Sequence, residues 1–253
     1  MNDSTTARPA VALLAGLLCD EEIWAEVAAR IAGLARISIF SFPGIPSIAA
    51  MAEHVRTSMT GRYAVAGHSM GGRVALELIR GDASRLSGLA LLNTGIHPVA
   101  THEPESRGRL VRLAHERGMA ALAAEWLPPM MGSARAADDE LMRRLAAMVG
   151  RSTPEQFAAQ IHALLNRPEA ASMLERVRVP LLLLAAEQDR WSPVEQHEEM
   201  RRLCPAAVLE VIPGAGHMAP VENPAAVAAA LADWIANVAA SERARSGTSV
   251  AGT

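Results

Sequence analysis

A serine set between two glycines is the residue of this chain best suited to act as a nucleophile. The segment Gly67-His-Ser69-Met-Gly71 follows a short apolar run and precedes a helical pattern. A serine at a tight turn between a strand and a helix adopts a strained backbone conformation that exposes its hydroxyl group. The unpaired N–H groups at the start of that helix also favour negative charge nearby. We therefore predict that Ser69 is a catalytic nucleophile.

A serine nucleophile needs a general base, and the base needs an acid that orients it. His217 follows the last apolar run in a glycine-containing loop, and Asp189 follows the apolar run before that one. If these runs are parallel strands, both side chains emerge at the same sheet edge as Ser69. Glu187 is a nearby competitor for the acid, whereas the position after the fourth run holds Asn93, which has no carboxylate. We predict that His217 is the base and Asp189 the acid.

Two backbone N–H groups are expected to stabilise the oxyanion that forms when a serine attacks a carbonyl. One belongs to Met70, the residue after the nucleophile. The other is expected from the loop after the first apolar run, where Gly16 lets the backbone approach a substrate and Leu17 is the candidate donor.

Short apolar runs alternate with amphipathic runs along the chain, which predicts an α/β fold with a mostly parallel sheet flanked by helices. Each run is apolar at nearly every position, as expected of strands covered on both faces. The predicted strands are 10–15, 37–40, 63–66, 88–92, 181–185 and 208–212. The predicted crossover helices are 23–32, 47–59, 72–80, 193–203 and 224–239.

A long interval after the fourth strand breaks this alternation and predicts a helical cap inserted at one end of the sheet. The expected division is an α/β core at 1–96 and 177–240, a helical cap at 97–176, and a disordered, small and polar tail at 241–253. The helices predicted within the cap are 104–117, 119–126, 138–149, 154–165 and 168–176.

The composition limits the kinds of partner. The 253 residues carry 24 basic and 27 acidic side chains, a formal net charge of -3, so no nucleic-acid or anionic membrane partner is indicated. All basic residues are arginine, which excludes a lysine Schiff base with pyridoxal phosphate and a P-loop lysine. We expect no cofactor, and the histidine spacings indicate no metal site.

The location is predicted from the cysteines and the apolar runs. Cys19 and Cys204 are far apart in the chain, so no disulfide is expected and a reducing cytoplasm is predicted. No apolar run reaches the roughly 20 residues that span a bilayer. We therefore predict a cytoplasmic protein with no membrane segment.

Together these motifs resemble those of the α/β-hydrolase fold family from about Pro9 to Ala239. The matching segments are 16–24, 42–44, 67–72, the loop around Asp189, and 214–224. The resemblance implies an α/β-hydrolase fold with Ser69, Asp189 and His217 as the triad and Leu17 and Met70 as oxyanion donors. The chain departs from the pattern at Ala15, where many relatives have histidine, and in a reshaped loop at 41–46. The short segment before the first strand implies a minimal sheet of six parallel strands.

The predicted function is a cofactor-independent serine hydrolase that cleaves a carboxylic ester or similar small acyl compound through an acyl-enzyme. The resemblance equally admits a carbon–carbon bond hydrolase, an enol-lactonase, a cofactor-free haloperoxidase or a lyase on the same scaffold. A ligand-binding protein that keeps the triad but turns over slowly is a further alternative. No oligomeric state is predicted.

Several side chains near the predicted site could have either a functional role or a packing role. We expect Leu18, Trp126, Met130 and Met218 to line an adaptable apolar substrate pocket, with packing inside the cap as the alternative for Trp126 and Met130. His68 is expected to point away from Ser69 as a packing residue, and Cys19 to be a small buried residue rather than a second nucleophile.

Eight cap arginines could bind an acidic partner such as a carrier protein, although a solvated helical face explains them as well. They are Arg107, Arg109, Arg112, Arg117, Arg135, Arg143, Arg144 and Arg151.

Overall fold

Six parallel strands form one sheet in the computed structural model, which describes the backbone of residues 8–250 and their side chains except those of 82 and 247–250. The strands are β1 (Ala10–Leu14), β2 (Arg36–Phe40), β3 (Tyr63–His68), β4 (Leu86–Leu92), β5 (Leu181–Ala186) and β6 (Val208–Ile212). Their order across the sheet is β2-β1-β3-β4-β5-β6, and every neighbouring pair is parallel. The predicted α/β fold with a six-stranded parallel sheet is confirmed.

The strands differ in burial according to their place in the sheet. Every residue of β3, β4 and β5 is buried, as expected where helices cover both faces. The outer strands β2 and β6 are only partly covered, and Val208 is 49% exposed. The expectation that all six strands are covered on both faces is therefore wrong for the two edge strands.

Eleven helices surround the sheet within the described residues. In chain order they are α1 (Ala25–Ile31), α2 (Ile48–Ser58), α3 (Met70–Asp82), α4 (Glu103–Trp126), α5 (Ser133–Ala136), α6 (Asp139–Gly150), α7 (Pro154–Leu165), α8 (Ala171–Leu174), α9 (Val194–Leu203), α10 (Ala219–Glu222) and α11 (Pro224–Val250). Short 3-10 helices lie at Glu21–Ile23, Ala83–Arg85 and Pro128–Met130. Because α3 follows β3 directly, its N-terminus lies at the carboxyl edge of the sheet.

In the chain, helices α4 to α8 follow β4 and precede β5, in the interval where the sequence predicts helices. The two helices expected at 104–117 and 119–126 form α4, which is broken at Gly118 by a backbone φ of 81° that glycine adopts readily. Helix α7 begins with a capping box, in which Thr153 and Gln156 bond each other's backbone N–H groups. Helices α6 and α7 both pack against α4, so these segments share one apolar interior.

The last helix extends further than the sequence predicts. Helix α11 continues to Val250, so the expectation of disorder in 241–253 is wrong for 241–250, while 251–253 lie outside the described residues. Glu242 forms an ion pair with Arg62 at 3.0 Å, which ties this part of the helix to the core. Small residues without proline permit the helix to continue.

Helix α11 combines a long span with an apolar composition. Its segment Pro224–Ser246 is long and apolar enough to cross a membrane, contrary to the expectation that no run would be, and 33% of its most apolar window is buried. The buried side is formed by Val227, Leu231, Trp234, Ile235 and Val238. These side chains belong to the core, as in a helix that covers a sheet.

Candidate active site

Ser69 occupies a sharp turn between β3 and α3. Its φ of 54° and ψ of -114° lie in a region that non-glycine residues rarely adopt. A Cβ atom on Gly67 would lie 2.2 Å from the carbonyl oxygen of Gly71, and one on Gly71 would lie 2.3 Å from that of Leu14. The flanking glycines therefore permit the close approach of strand and helix that forces this turn.

The structure brings the three predicted catalytic residues together. The Nε2 atom of His217 lies 2.8 Å from the Oγ atom of Ser69. On the other side of the ring, Nδ1 lies 2.9 Å from Oδ2 of Asp189. With Asp189 ionised, Nδ1–H donates to the carboxylate, which leaves Nε2 to accept the serine hydroxyl proton. This geometry permits removal of a proton from Ser69.

Asp189 is held by a set of donors besides His217. Its Oδ1 accepts hydrogen bonds from the backbone N–H groups of Trp191 at 2.8 Å and Ser192 at 3.0 Å. Its Oδ2 also accepts one from Nδ2 of Asn93 at 3.0 Å. Burial opposes ionisation of this carboxyl, but the charge and hydrogen bond of His217, aided by Asn93 and Ser192, hold its pKa well below the usual range. Asp189 is thus anionic at neutral pH.

Two neighbours of Asp189 differ from it in role. Asn93, which the sequence analysis discounted because it lacks a carboxylate, donates to Asp189 from the end of β4. Glu187, the competitor for the acid, accepts a hydrogen bond from the backbone N–H of Gly214 at 2.8 Å and makes none with His217. The sequence feature that could have identified Asn93 is its position directly after a central strand, where polar side chains face the site.

The predicted oxyanion donors lie at the same cavity as Ser69. Leu17 and Met70 both line it, together with Ser69 and His217. Among the described residues, no hydrogen bond uses the backbone N–H of Leu17 or Met70. Both groups are therefore available to a substrate oxygen.

Leu18 does not line the cavity, contrary to expectation. Its backbone has a φ of 59°, and its N–H donates to Oε1 of Gln160 at 2.9 Å. Gln160, a buried residue of α7, also donates to the carbonyl of Phe42 and so fixes the loop that carries Leu17. Cys19 lines the cavity instead, and burial together with the charge of Asp20 raises the pKa of its thiol to about 12, so it remains protonated.

The cavity next to Ser69 has a volume of about 660 Å³. Of the pocket residues expected from the sequence, Trp126, Met130 and Met218 line it. Trp191, which follows Asp189 by two residues, also lines it and is 44% exposed. A space of this size is within the range that encloses a small organic ligand.

His68 has more contacts than the predicted packing role requires. Its ring packs edge-on against Trp24, with ring centroids 6.4 Å apart, and its Nε2 lies 2.8 Å from the carbonyl oxygen of His217. Burial, together with the neighbouring His217, lowers the pKa of His68 to about 3. The ring is therefore neutral at neutral pH and donates its Nε2–H to that carbonyl, which helps to position the His217 loop.

We expect the low pKa of His68 to make the protein less stable in acid. Between pH 6.5 and 3 the unfolded chain binds a proton at this position and the folded chain does not, so the free energy of unfolding falls by up to about 1.4 kcal/mol per pH unit. The variant His68→Gln, whose amide can still donate to His217, should show a shallower dependence over this range. Urea unfolding at several pH values measures it, and parallel curves for the two proteins would contradict the assignment.

Glu222 links the His217 loop to the segment around Gly132. One carboxylate oxygen accepts hydrogen bonds from the N–H groups of Gly216 and Met218, each at 3.0 Å. The other accepts one from the N–H of Gly132 at 2.7 Å. In the same region the N–H of His217 donates to the carbonyl of Met130 at 2.7 Å. Glu222 could not be predicted from the sequence, since nothing in its spacing indicates three backbone partners.

Glu222→Gln is expected to lower the free energy of unfolding by about 1–3 kcal/mol, the usual effect of a buried donor left without an acceptor. The amide oxygen can still serve Gly216 and Met218, while the amide nitrogen faces the N–H of Gly132. Glu222→Leu removes all three acceptor contacts and should be less stable than the glutamine variant. Urea unfolding compares the three proteins, and a leucine variant as stable as the parent would refute the role.

Among the residues that the structure describes, no group of three or more histidine, cysteine or acidic side chains could hold a metal ion.

Comparison with known proteins places this geometry in context. The model of a family described as the alpha/beta hydrolase family matches residues 11–230. The structure of a thermophilic esterase from Thermogutta terrifontis is similar, with a TM-score of 0.83 and 27% identity over 92% of this chain and 91% of that one. The enol-lactonase from Burkholderia xenovorans LB400 shares the fold, with a TM-score of 0.83 and 21% identity over 90% of this chain and 92% of that one.

A third relative is named for a synthase reaction. The 2-succinyl-6-hydroxy-2,4-cyclohexadiene-1-carboxylate synthase of Serratia proteamaculans (strain 568) is 26% identical over 190 residues, which cover 70% of this chain and 69% of that protein. The names of these three similar proteins cover three different reactions.

Proposed function

This chain belongs to the alpha/beta hydrolase family, and we propose that within it the chain is a serine hydrolase that cleaves a carboxylic ester or similar small acyl compound. The observation that carries the proposal is the unbroken line of hydrogen bonds from Asp189 through His217 to the Ser69 hydroxyl. The esterase from Thermogutta terrifontis, at 27% identity, supports an ester as the substrate.

In the proposed reaction, Oγ of Ser69 attacks the substrate carbonyl while Nε2 of His217 takes the hydroxyl proton. The backbone N–H groups of Leu17 and Met70 stabilise the oxyanion, and Asp189 stabilises the imidazolium. His217 then gives its proton to the departing alcohol, which leaves an acyl group on Ser69. A water molecule then attacks the acyl carbon while His217 takes its proton, and His217 returns that proton to Oγ of Ser69 as the acid leaves. These steps use side chains and backbone groups of the chain alone.

We propose a small-molecule substrate in preference to one attached to an acidic carrier. Of the eight arginines that the sequence analysis names as able to meet such a carrier, five are paired with acidic side chains of the described residues. The pairs are Arg107–Glu103, Arg109–Glu125, Arg135–Asp138, Arg144–Glu22 and Arg151–Asp20. The positive charge that would attract an acidic protein surface is thus largely balanced. A cytoplasmic location, expected from the two distant cysteines, is part of the same proposal.

A second candidate is a reaction that breaks or forms a carbon–carbon bond at the same serine. The relative from Serratia proteamaculans, whose name is that of a synthase, supports a reaction other than ester hydrolysis on this scaffold. One scaffold supports many reactions, so the substrate decides between the two candidates.

Active-site labelling combined with a substrate panel tests the proposal. A fluorophosphonate should add one group to the protein at Ser69, identified by peptide mass spectrometry. Short p-nitrophenyl esters should be hydrolysed with a burst of one p-nitrophenol per active site if deacylation is slow. Labelling with turnover of diketones and not of esters would favour the second candidate. Labelling without turnover of any substrate would indicate a ligand-binding protein, and absence of labelling would refute a serine nucleophile.

A further inference from the structure

We propose that one wall of the cavity binds an anionic group of the substrate, through the guanidinium groups of Arg73 and Arg107. The preferred substrate is then an acyl compound that carries a carboxylate or phosphonate-like group at some distance from the bond that is cleaved. That the bound anion is part of a substrate rests on the proposed function, whereas binding of an anion at this site does not depend on turnover.

Positive charge exceeds negative charge on this wall. Arg73, Arg107 and Arg167 line the cavity close together, and the only acidic side chain among the described lining residues is Glu103. Glu103 is shared by two of the three arginines, because Arg167 contacts it at 2.6 Å and Arg107 at 2.9 Å. One carboxylate thus faces three guanidinium groups.

Each nitrogen of the Arg167 guanidinium donates at least one hydrogen bond to neighbouring residues. Its Nη1 and Nη2 atoms donate to the two carboxylate oxygens of Glu103 at 2.9 and 2.6 Å. It also donates to the backbone carbonyls of His97, Pro98 and Leu164. Burial opposes ionisation of Glu103, but Arg167 and Arg107 hold its pKa at about 2. Glu103 thus supplies one negative charge against three guanidinium groups, although both Arg107 and Arg167 contact it, so the cluster keeps an excess of positive charge.

Arg73 has no acidic partner among the described residues. Its Nη2 donates to the carbonyl of His97 at 2.7 Å, while its Nη1 is buried and makes no hydrogen bond. Burial and the nearby charge of Arg167 lower the pKa of Arg73 to about 9. A buried guanidinium with an unused donor is unfavourable, and an anion bound beside it would relieve this.

Arg107 offers the accessible donors of the pair. Only its Nε is bonded within the described chain, to Glu103, and its side chain retains 17% exposure. Its terminal nitrogens are therefore open to the cavity that the residue lines. Two guanidinium groups, both partly buried, match the needs of a carboxylate or phosphonate.

The position of Arg73 sets the length of the substrate. Arg73 lies in the first turn of α3 and Ser69 directly precedes that helix, so both residues lie at the N-terminal end of α3. An anionic group bound there would be separated from the attacked carbonyl by a short chain of a few bonds. The cavity of about 660 Å³ has room for such a compound.

The test compares three esters that differ only at the far end of the acyl chain. They are the mono-p-nitrophenyl ester of adipic acid, its terminal amide, and p-nitrophenyl 5-phosphonopentanoate, with the enzyme-free rate subtracted. The parent protein should have a kcat/KM about tenfold to hundredfold higher for at least one anionic ester than for the amide, the range expected of hydrogen bonds between charged groups. The larger of the two anionic values identifies the group that the site prefers.

Arg107→Gln should remove most of this preference, because kcat/KM should fall much more for the anionic esters than for the amide. Arg112→Gln is the matched control, because Arg112 is an exposed arginine of the same helix that does not line the cavity. Arg73→Gln should also lose the preference. If that variant unfolds, because the partly buried Arg73 also bonds the carbonyl of His97, Arg107→Gln alone decides the matter. Equal kcat/KM for all three esters in the parent, or a preference that survives Arg107→Gln, would overturn the proposal.

A binding measurement separates this inference from the proposed hydrolase activity. Ser69→Ala protein is titrated calorimetrically with monomethyl adipate and with dimethyl adipate. The site predicts at least about tenfold tighter binding of the monoanion, lost in the double variant with Arg107→Gln. If no ester is hydrolysed but this difference is found, the proposed function fails and the anion site stands. If esters are hydrolysed and both compounds bind equally, the anion site fails and the proposed function stands.

Discussion

Ser69→Ala is expected to lower kcat for ester hydrolysis by about 10⁶-fold, the scale seen when a serine nucleophile is removed. The variant keeps His217, Asp189 and the backbone donors but has no atom that can form the acyl-enzyme. Residual turnover would come from water attack assisted by the oxyanion donors. Because the φ of 54° is retained by the surrounding turn, the folded structure should persist.

Hydrolysis of p-nitrophenyl acetate and labelling by a fluorophosphonate measure this effect. Ser106→Ala provides the matched control, because Ser106 also lines the cavity and its hydroxyl only donates to the carbonyl of Glu103. The control should be labelled and should retain kcat within a few fold. A Ser69→Ala protein with more than about one hundredth of the parent activity would show that hydrolysis proceeds by another route.

Asp189→Asn is expected to lower kcat by about 10⁴-fold. The N–H groups of Trp191 and Ser192 both donate to one oxygen of Asp189, so an asparagine would keep its oxygen at that position. Its amide nitrogen would then face Nδ1 of His217, and that nitrogen would have to accept instead of donate. The proton would move to Nε2, where it prevents His217 from acting as the base toward Ser69.

Steady-state kinetics with the same ester measures the loss, which should fall on kcat while KM changes little. Glu187→Gln is the comparison, since Glu187 is two residues away and, within the described residues, its side chain bonds only the backbone N–H of Gly214. That variant should keep kcat within about threefold. An equal loss in both variants would mean that a general disturbance of this loop, and not the tautomer of His217, determines the rate.

The sequence alone determined the elements of the fold and the residues that meet at its edge. Each apolar run is long enough to be a strand, and each is followed by a helical pattern, so a parallel sheet is the arrangement that buries them. In such a sheet the carboxyl ends of all strands share one edge, and Ser69, Asp189 and His217 each follow a strand. Local signals of this kind include the glycine at 118 that breaks α4, where the sequence predicts two helices.

Only the tertiary structure decided which distant groups complete the site. Gln160 lies 142 residues from Leu18, whose N–H it binds, and Glu222 lies 90 residues from Gly132. No spacing rule relates such partners, because their contact depends on how helices α4 to α8 pack on the sheet. The same packing also places Arg107 beside Arg73, with Glu103 already paired to Arg167. The sequence alone therefore predicts the nucleophile and its base, whereas the charge that faces the cavity depends on packing between segments far apart in the chain.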